Sequence, residues 1–291
     1  MKTIVTHNGS FHSDDVFAVA TLQLAYGVDA VTVVRTREEA IIATGDIVVD
    51  VGGVYDVAKQ RFDHHQNGAP VRENGVSYAA FGLVWQTYGE QVCGSSVVAA
   101  EIERQLVIAV DAGDTGLSLY TLHDQTKKPF ELYQVINSFS PEWGSGKSKD
   151  DAFLQAVSFA RDLLTRMITA KTAEVAMKQL IADTYALTPH KQCLEFAIPV
   201  SGIACIEYPD VEVVVMPDDP AVNTNWTATT VRKGYDSFEA RVIFPESWRG
   251  LRGAELAAVS GIADAVFCHK AGFIFVAGSR EGAMLGAGMA G

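Results

Sequence analysis

Short β-rich runs alternate with segments of helical apolar spacing at the start of the chain. The runs at residues 3–6, 30–35 and 46–51 predict strands, because they are short, apolar and rich in β-branched side chains. Apolar residues at helical spacing predict helices over residues 14–26 and 38–43. This alternation predicts an α/β fold, with a doubly wound parallel sheet and ligand sites at the carboxyl ends of its strands.

The pattern changes along the rest of the chain. Helical spacing continues over residues 77–88, 96–111 and 150–187, and a polar, irregular stretch covers residues 121–149. After the last helical segment, short β-rich runs predict strands at residues 203–207, 211–216, 226–231, 239–244 and 272–277. We therefore predict a domain of residues 1–190 and a smaller C-terminal α/β domain of residues 191–291.

Charge and cysteine content exclude several classes of protein. The net charge of −12 argues against a surface that holds long duplex nucleic acid by bulk electrostatics. A polyphosphate substrate stays open, because bound divalent cations would reverse the local field at a site. The four cysteines are far apart and form no C-x-x-C pair, which argues against a disulfide framework or a thiolate zinc site. No apolar run approaches membrane-spanning length and the first strand leaves no room for a signal peptide, so we expect a cytoplasmic protein without membrane partners.

Histidines and aspartates form four short clusters before residue 112. The clusters are His7, His12 and Asp14; Asp50; Asp63, His64 and His65; and Asp111. Each follows an apolar run that predicts a buried strand, so we expect the clusters to meet at one edge of the sheet. Imidazole and carboxylate ligands together suit borderline and hard divalent cations. The arrangement predicts a two-metal hydrolase.

Local chemistry leaves alternatives within these clusters. Asp14 and Asp15 both stand where a helix cap is expected, and we interpret Asp14 as the ligand and Asp15 as the cap or a group behind the ligands. Asp50 taken alone could equally satisfy loop backbone. The two consecutive imidazoles after Asp63 favour a ligand role for Asp50 over a loop-backbone role. Such a pair of imidazoles is costly in a core and unusual on a surface. One imidazole can bind a cation while its neighbour faces the substrate.

Four motifs contain these residues, namely H-N-G-S-F-H-S-D-D at 7–15, D-V-G-G at 50–53, F-D-H-H-Q at 62–66 and V-D-A-G-D at 110–114. In combination they resemble the DHH phosphoesterase superfamily, and more closely the Myg family of metal-dependent hydrolases. The stretches at residues 248–262, 267–274 and 279–283 are similar to the Myg family as well. The resemblance spans nearly the whole chain, and helical texture supports it at residues 120–200.

The resemblance implies an N-terminal DHH-like catalytic domain with two divalent cations and a C-terminal substrate-binding domain. Members of the Myg family are associated with 3′-to-5′ exonuclease action on RNA. His12 stands where many superfamily members carry aspartate, which favours Mn²⁺ over Mg²⁺, the alternative cation.

Carried over residue by residue, the resemblance implies that His7, His12 and Asp50 hold one cation. It implies that Asp14, Asp50, His64 and Asp111 hold the other, so that Asp50 is the bridge. Two cations would lower the pKa of a shared water and clamp an in-line displacement at phosphorus, which makes an activated hydroxide the nucleophile. We expect His65 to contact the phosphoryl group or protonate the leaving oxygen, and Asp63 to orient an imidazole.

A phosphate clamp is expected from the C-terminal domain, because the first 115 residues offer too little positive charge. Arg280, beside Ser279 in a glycine-flanked turn, is the first candidate, since a planar guanidinium matches phosphate oxygens. Arg252, His269 and Lys270 are further candidates. Trp226 and Trp248 could stack on a base, but a core position is the more ordinary interpretation of both.

Three functions from different classes fit these observations. The first is an exonuclease-type phosphodiesterase that acts 3′ to 5′ on short single-stranded RNA or DNA. The second is a small-molecule phosphoesterase or pyrophosphatase. The third is a catalytically silent metal-binding protein that acts as an interaction module. A homodimer stays open, because no sequence pattern indicates one.

Overall fold

Five strands form the sheet of the N-terminal part of the chain. They are β1 (Lys2–Thr6), β2 (Val31–Arg35), β3 (Ile47–Val49), β4 (Tyr55–Asp56) and β5 (Arg61–Phe62). In this computed structural model, which describes residues 1–124 and 126–291, their order is β2-β1-β3-β5-β4. Neighbouring strands are parallel except β4, which is antiparallel to β5. The predicted α/β class with a parallel sheet is confirmed.

Helices cover both faces of this sheet. They are α1 (Ser13–Tyr26), α2 (Glu39–Thr44), α3 (Ala80–Cys93), α4 (Ser96–Ile102), α5 (Ile108–Asp114), α6 (Leu132–Asn137) and α7 (Lys149–Leu187). Successive side chains of a strand point to opposite faces. In β1, Ile4 therefore packs in the large core with α1 and α3, whereas Val5 packs on the other face with Ile41 and Ile42 of α2.

The apolar run at residues 106–110 is helical. The prediction that Asp111 follows a buried strand is wrong, because this residue lies inside α5. A short apolar run does not distinguish a buried strand from a buried helix, and here the run continues the helical segment that begins at Ser96. Residues Glu103–Val107, between α4 and α5, form a π-helical turn.

A second five-stranded sheet forms the centre of the C-terminal part. Its strands are β6 (Cys193–Glu195), β7 (Val213–Pro217), β8 (Trp226–Thr230), β9 (Ala265–Cys268) and β10 (Ile274–Ala277), and its helices are α8 (Gly253–Ser260) and α9 (Arg280–Ala287). The order is β6-β7-β8-β10-β9, with β6 and β7 parallel and the other pairs antiparallel.

Two predicted strands of this part are wrong. Residues Gly202–Glu207 form a 3₁₀ helix, and residues 239–244 contain only an isolated bridge between Arg232 and Ala240. Both segments bury apolar side chains without extended pairing, as Cys205 and Phe244 show, and that burial is what their composition reflects.

Contacts divide the chain into two units, Met1–Val175 and Ala176–Gly291. The division falls inside α7, whereas the boundary predicted from the sequence is at residue 190, just after the end of this helix. Within the described residues, no helix combines the length and apolar character needed to cross a bilayer.

Candidate metal centre

The ends of three neighbouring parallel strands place the central residues of the site. His7 directly follows β1, Asp50 directly follows β3, and Asp63 directly follows β5. Because β1, β3 and β5 lie side by side and run in the same direction, these residues come together at one edge of the sheet. Asp50 has φ of 55°, a left-handed conformation that is uncommon outside glycine and that turns the chain at this edge.

Asp50 lies between two imidazoles. Its Oδ2 is 3.2 Å from Nε2 of His7, and its Oδ1 is 3.3 Å from Nε2 of His64. Nδ1 of His7 donates to the carbonyl oxygen of Asn8 at 3.1 Å, and its Nε2 faces Asp50. One carboxylate oxygen towards each histidine is the arrangement expected of a bridging ligand.

The first turn of α1 adds two buried carboxylates. Oδ1 of Asp15 accepts hydrogen bonds from the backbone N–H groups of His12 and Val16, both at 2.8 Å, which is a capping arrangement. Its other oxygen, Oδ2, lies 3.1 Å from Nε2 of His7. Asp14 is fully buried and its Oδ2 lies 3.9 Å from Nε2 of His64. The structure therefore places both aspartates at the site, and Asp15 caps the helix and faces a histidine at the same time.

Asp114, rather than Asp111, is the residue of α5 that reaches the cluster. Oδ2 of Asp114 is 3.3 Å from Nε2 of His64, and its Oδ1 is 3.9 Å from Nδ1 of His12. The carboxylate of Asp111 instead forms a 2.7 Å ion pair with Arg72 and accepts a hydrogen bond from the backbone N–H of Gly82. The structure thus does not bring Asp111 to the site. Asp111 lies about one helical turn before Asp114 and is paired there with the buried guanidinium of Arg72.

Three donor sets emerge from this geometry, two of which share Asp50. They are His7, Asp15 and Asp50; His12, Asp14 and Asp114; and Asp50, His64 and His65. The ligand atoms within each set lie within 4.8 Å of one another. The predicted division paired His12 with His7 and Asp50, whereas here His12, which is largely exposed, stands with Asp14 and Asp114.

The chemistry of these residues fits divalent cations. Both carboxylate oxygens of Asp14, Oδ2 of Asp15, Oδ1 of Asp50 and Nε2 of His64 are buried without a hydrogen-bond partner among the described residues. Buried polar atoms without partners are costly, and a cation between them would satisfy several at once.

The pKa values show the same need for positive charge. Burial and the negative charges of Asp50 and Asp114 hold the pKa of Asp14 well above its ordinary value. Burial lowers the pKa of His7, but its contacts with Asp15 and Asp50 outweigh that effect and raise the pKa to about 10. Burial raises the pKa of Asp50, but the close contacts of its carboxylate with His64 and His7 outweigh that effect and lower the pKa to about 2. In the metal-free protein, protons on the imidazoles thus compensate the negative charge of the aspartates. A divalent cation carries more positive charge and would compensate it more fully.

Asp63 positions the second histidine of the D-H-H motif. Its Oδ1 accepts from Nδ1 of His65 at 2.7 Å and from the backbone N–H of His64 at 2.7 Å, and its Oδ2 accepts from the backbone N–H of Gly53. The side chain of His65 is mostly exposed, so its Nε2 is free to meet a ligand from solvent. Through these contacts Asp63 could orient His65, and this role of Asp63 stays a prediction.

The residues of the expected C-terminal phosphate clamp lie in the second unit, and most of them have a partner there. Arg280 forms a bidentate ion pair with Glu195, and Ser279 caps α9 by accepting from the N–H of Gly282. Arg252 lies over the ring of Phe267, 4.2 Å from its centroid. In addition, Nδ1 of His269 accepts from the N–H of Ala271, and Trp248 is buried in the core.

Comparison with known proteins places the chain in a family. The family model MYG1_exonuc, described as "Uncharacterised protein family (UPF0160)", matches residues 3–290. The chain belongs to the MYG1 exonuclease family. The predicted resemblance to the Myg family is therefore confirmed.

MYG1 relatives from distant organisms match over most of their length. A MYG1 protein of Schizosaccharomyces pombe is 29% identical, with 97% of this chain and 94% of the relative covered. A MYG1 protein of Chlamydia pneumoniae is 30% identical, with 96% and 93% covered. The human protein named MYG1 exonuclease is 27% identical, with 97% and 83% covered. Among solved structures, a pGpG-specific phosphodiesterase, PggH from Vibrio cholerae, is similar with a TM-score of 0.31 and 14% identity over 95% of this chain and 92% of that chain.

Two residues of the candidate site were not predicted to be ligands. Asp15 and Asp114 each stand within three residues of an aspartate that was preferred, and the repeated aspartates of D-D at 14–15 and of D-A-G-D at 111–114 were the available signal. Which member of each pair faces the histidines depends on helix phase and on the position of Arg72, neither of which the motifs contain.

Proposed function

We propose that this protein is a divalent-metal-dependent phosphoesterase of the DHH type, acting as a 3′-to-5′ exonuclease on short single-stranded RNA or DNA in the cytoplasm. The observation that carries the proposal is the buried group of aspartates and histidines whose donor atoms lack partners among the described residues. Family membership supports the choice of reaction, since relatives of this chain are named exonucleases.

The residues of the cluster lie on two sides of Asp50. His7 and Asp15 stand on one side of this carboxylate, and His64, Asp14 and Asp114 on the other, so Asp50 would bridge two cations. When bound, two divalent cations, which we propose are Mn²⁺, supply a water of lowered pKa and positive charge for the phosphoryl oxygens.

His65 would act on the substrate itself. Its Nδ1–H is held by Asp63, so the ring has a fixed orientation and its Nε2 can hold a proton close to the leaving oxygen. An imidazole suits this role because its ordinary pKa lies near neutral pH. Asp63 is a positioning residue, since it acts through His65.

Substrate binding by the C-terminal unit is part of the proposal. Arg280 would contact a phosphate, with Ser279, Arg252 and His269 in supporting positions. The bidentate pair with Glu195 places a carboxylate on the guanidinium where a phosphate would compete for the same donors.

Product analysis tests this function. Protein supplied with Mn²⁺ or Mg²⁺ is incubated with end-labelled RNA, DNA, dinucleotides and pyrophosphate, alongside Asp50→Asn and the matched control Asp162→Asn, an exposed aspartate of α7. We expect mononucleotide release from 3′ ends that depends on Mn²⁺, is lost in Asp50→Asn and persists in the control.

Each other outcome contradicts part of the proposal. Hydrolysis of pyrophosphate alone would replace the exonuclease with a small-molecule phosphoesterase. Equal rates for wild type and Asp50→Asn would overturn the bridging role. Metal binding without hydrolysis of any substrate would indicate a catalytically silent protein.

A further inference from the structure

A cavity of about 800 Å³ lies beside the candidate metal centre, within the first unit. Its walls come from the start of α1, the π-helical turn, α5 with the loop that follows it, and α6. This volume is within the range of pockets that bind small molecules and cofactors.

The cavity and the metal centre share residues. His12 and Asp114 belong to one donor set and also line the cavity, and Ser13 lines it next to Asp14. A molecule in the cavity can therefore place a phosphate at the metal centre while the rest of it contacts the cavity walls.

The walls of the cavity contain apolar side chains that are exposed in the folded protein. Leu117, Leu119, Tyr120 and Tyr133 are 44–52% exposed, and all four line the cavity. The Tyr120 hydroxyl donates to Oε1 of Glu131 at 2.7 Å, which holds this ring in place. Exposed apolar side chains grouped around a concave surface indicate a binding site, and aromatic rings offer a stacking surface for a flat ligand.

Two uncommitted amides complete the lining. The side chains of Gln105 and Asn137 make no hydrogen bond within the described residues, and both line the cavity. Amide side chains offer a donor and an acceptor together, as the edge of a nucleobase requires.

Charge excludes an anion from this cavity. No lysine or arginine of the described residues lines it, and Glu131 and Asp114 contribute carboxylates. Lys128 lines a separate cavity of about 230 Å³ that shares Tyr120 and Tyr133. The larger cavity therefore suits a neutral, flat group with polar edges.

The π-helical turn Glu103–Val107 contributes Gln105 and Leu106 to the wall. A π turn inserts one residue into a helix and is frequently found at functional sites. The inserted residue rotates the following residues by about 100° around the helix axis. It therefore determines the side of α5 on which Asp114 lies.

We propose that this cavity binds the terminal nucleobase of the nucleic-acid substrate while the adjacent phosphodiester lies at the metal centre. The proposal rests on the proposed function for the position of the phosphate. It assigns base binding to the first unit, through Tyr120, Tyr133, Gln105 and Asn137.

Binding of a nucleoside tests the cavity without catalysis. Metal-free protein is titrated with adenosine and with uridine, and saturation-transfer NMR reports contact of the base protons with the protein. We expect transfer to the base protons in wild type and its loss in Tyr133→Ala and Gln105→Ala. The matched controls are Trp143→Ala and Gln155→Ala, which replace fully exposed or exposed residues outside the cavity.

Kinetics with abasic ends test the position of the base. Oligonucleotides that lack the base of the terminal nucleotide, at the 3′ end or at the 5′ end, are compared with the ordinary oligonucleotide. We expect the abasic end on the attacked side to raise KM about tenfold, as the loss of one stacked base does. In Tyr133→Ala the ordinary and abasic substrates should become equivalent.

The outcomes separate the two proposals. If no nucleic acid is hydrolysed but nucleosides bind and the variants lose binding, the proposed function fails and the base site stands. If oligonucleotides are hydrolysed with equal KM for ordinary and abasic ends, and nucleosides show no transfer, the base site is overturned. Because Gln105 is exposed, the Gln105→Ala result does not depend on refolding of a buried position.

Discussion

The ion pair between Asp111 and Arg72 allows a test of the roles of the two aspartates of α5. We expect Asp111 to stabilise the fold and Asp114 to bind a cation at the candidate metal centre. Asp111 is fully buried, and its Oδ2 lies 2.7 Å from Nη2 of Arg72. Arg72 is also buried and lies over the ring of Tyr78.

Asp111→Asn removes the charge but keeps an oxygen for the N–H of Gly82. Breaking a buried pair costs about 3–5 kcal/mol when the remaining charge has no other partner. Here Arg72 keeps a 3.0 Å ion pair with Glu103, so we expect a loss of about 2 kcal/mol in the free energy of unfolding, the order of one hydrogen bond to a charged group. Thermal unfolding in EDTA should show a melting temperature lower by about 5 °C.

Asp114→Asn should have the opposite pattern. The negative charge of Asp114 raises the pKa of Asp14, so its removal relieves repulsion in the metal-free protein and leaves the melting temperature unchanged or higher. We expect Mn²⁺ affinity, measured by calorimetric titration, to fall by at least about 100-fold, because a ligand is lost. Asp111→Asn should bind Mn²⁺ within about threefold of wild type, since this carboxylate does not face the histidines. Loss of Mn²⁺ binding in Asp111→Asn with normal binding in Asp114→Asn would refute the assignment.

Three further predictions concern other parts of the molecule. The pKa of His7 is raised to about 10 in the metal-free protein, so a cation that binds near neutral pH must displace its proton. The apparent Mn²⁺ affinity should therefore rise with pH by up to about tenfold per unit, and calorimetry in buffers of different ionisation enthalpy should show proton release. Binding that does not depend on pH would contradict this prediction. Gly82→Ala would place a Cβ 1.9 Å from Oδ2 of Asp111, so the free energy of unfolding measured in urea should fall by about 1–3 kcal/mol, and an unchanged urea midpoint would show that this region yields easily. Glu195→Gln weakens the carboxylate competitor of Arg280, so KM for an oligonucleotide should fall by about twofold; an unchanged KM would argue against a phosphate contact by Arg280.

The sequence predicted the strand ends of the site correctly because the relevant signals are local. β1 and β3 are apolar runs, and the residues that follow them, His7 and Asp50, are the donors proposed for the candidate site. Parallel strands joined by helices bring such residues together under general rules of chain connection. The pairing of Asp63 with His65 is likewise a contact between residues two positions apart.

The C-terminal unit was less predictable for the opposite reason. Its sheet is mostly antiparallel, and its central pairing joins β10 to β8, which places Ile274 opposite Thr229 although the two residues are far apart in the chain. Arg280 could be recognised as a cation in a glycine-flanked turn, but its ion pair with Glu195 joins residues that are 85 positions apart. No local pattern encodes such a contact.

The sequence by itself determined the α/β class and the family, and it predicted the kinds of ligand proposed for the site, because apolar periodicity and the D-H-H motif are properties of neighbouring residues. Only the tertiary structure decided that Asp114 rather than Asp111 meets His64, and that Asp15 faces His7 while it caps α1. The physical reason is that a carboxylate becomes a ligand or an ion-pair partner according to the charge that packs against it, and Arg72 reaches α5 only when the chain is folded.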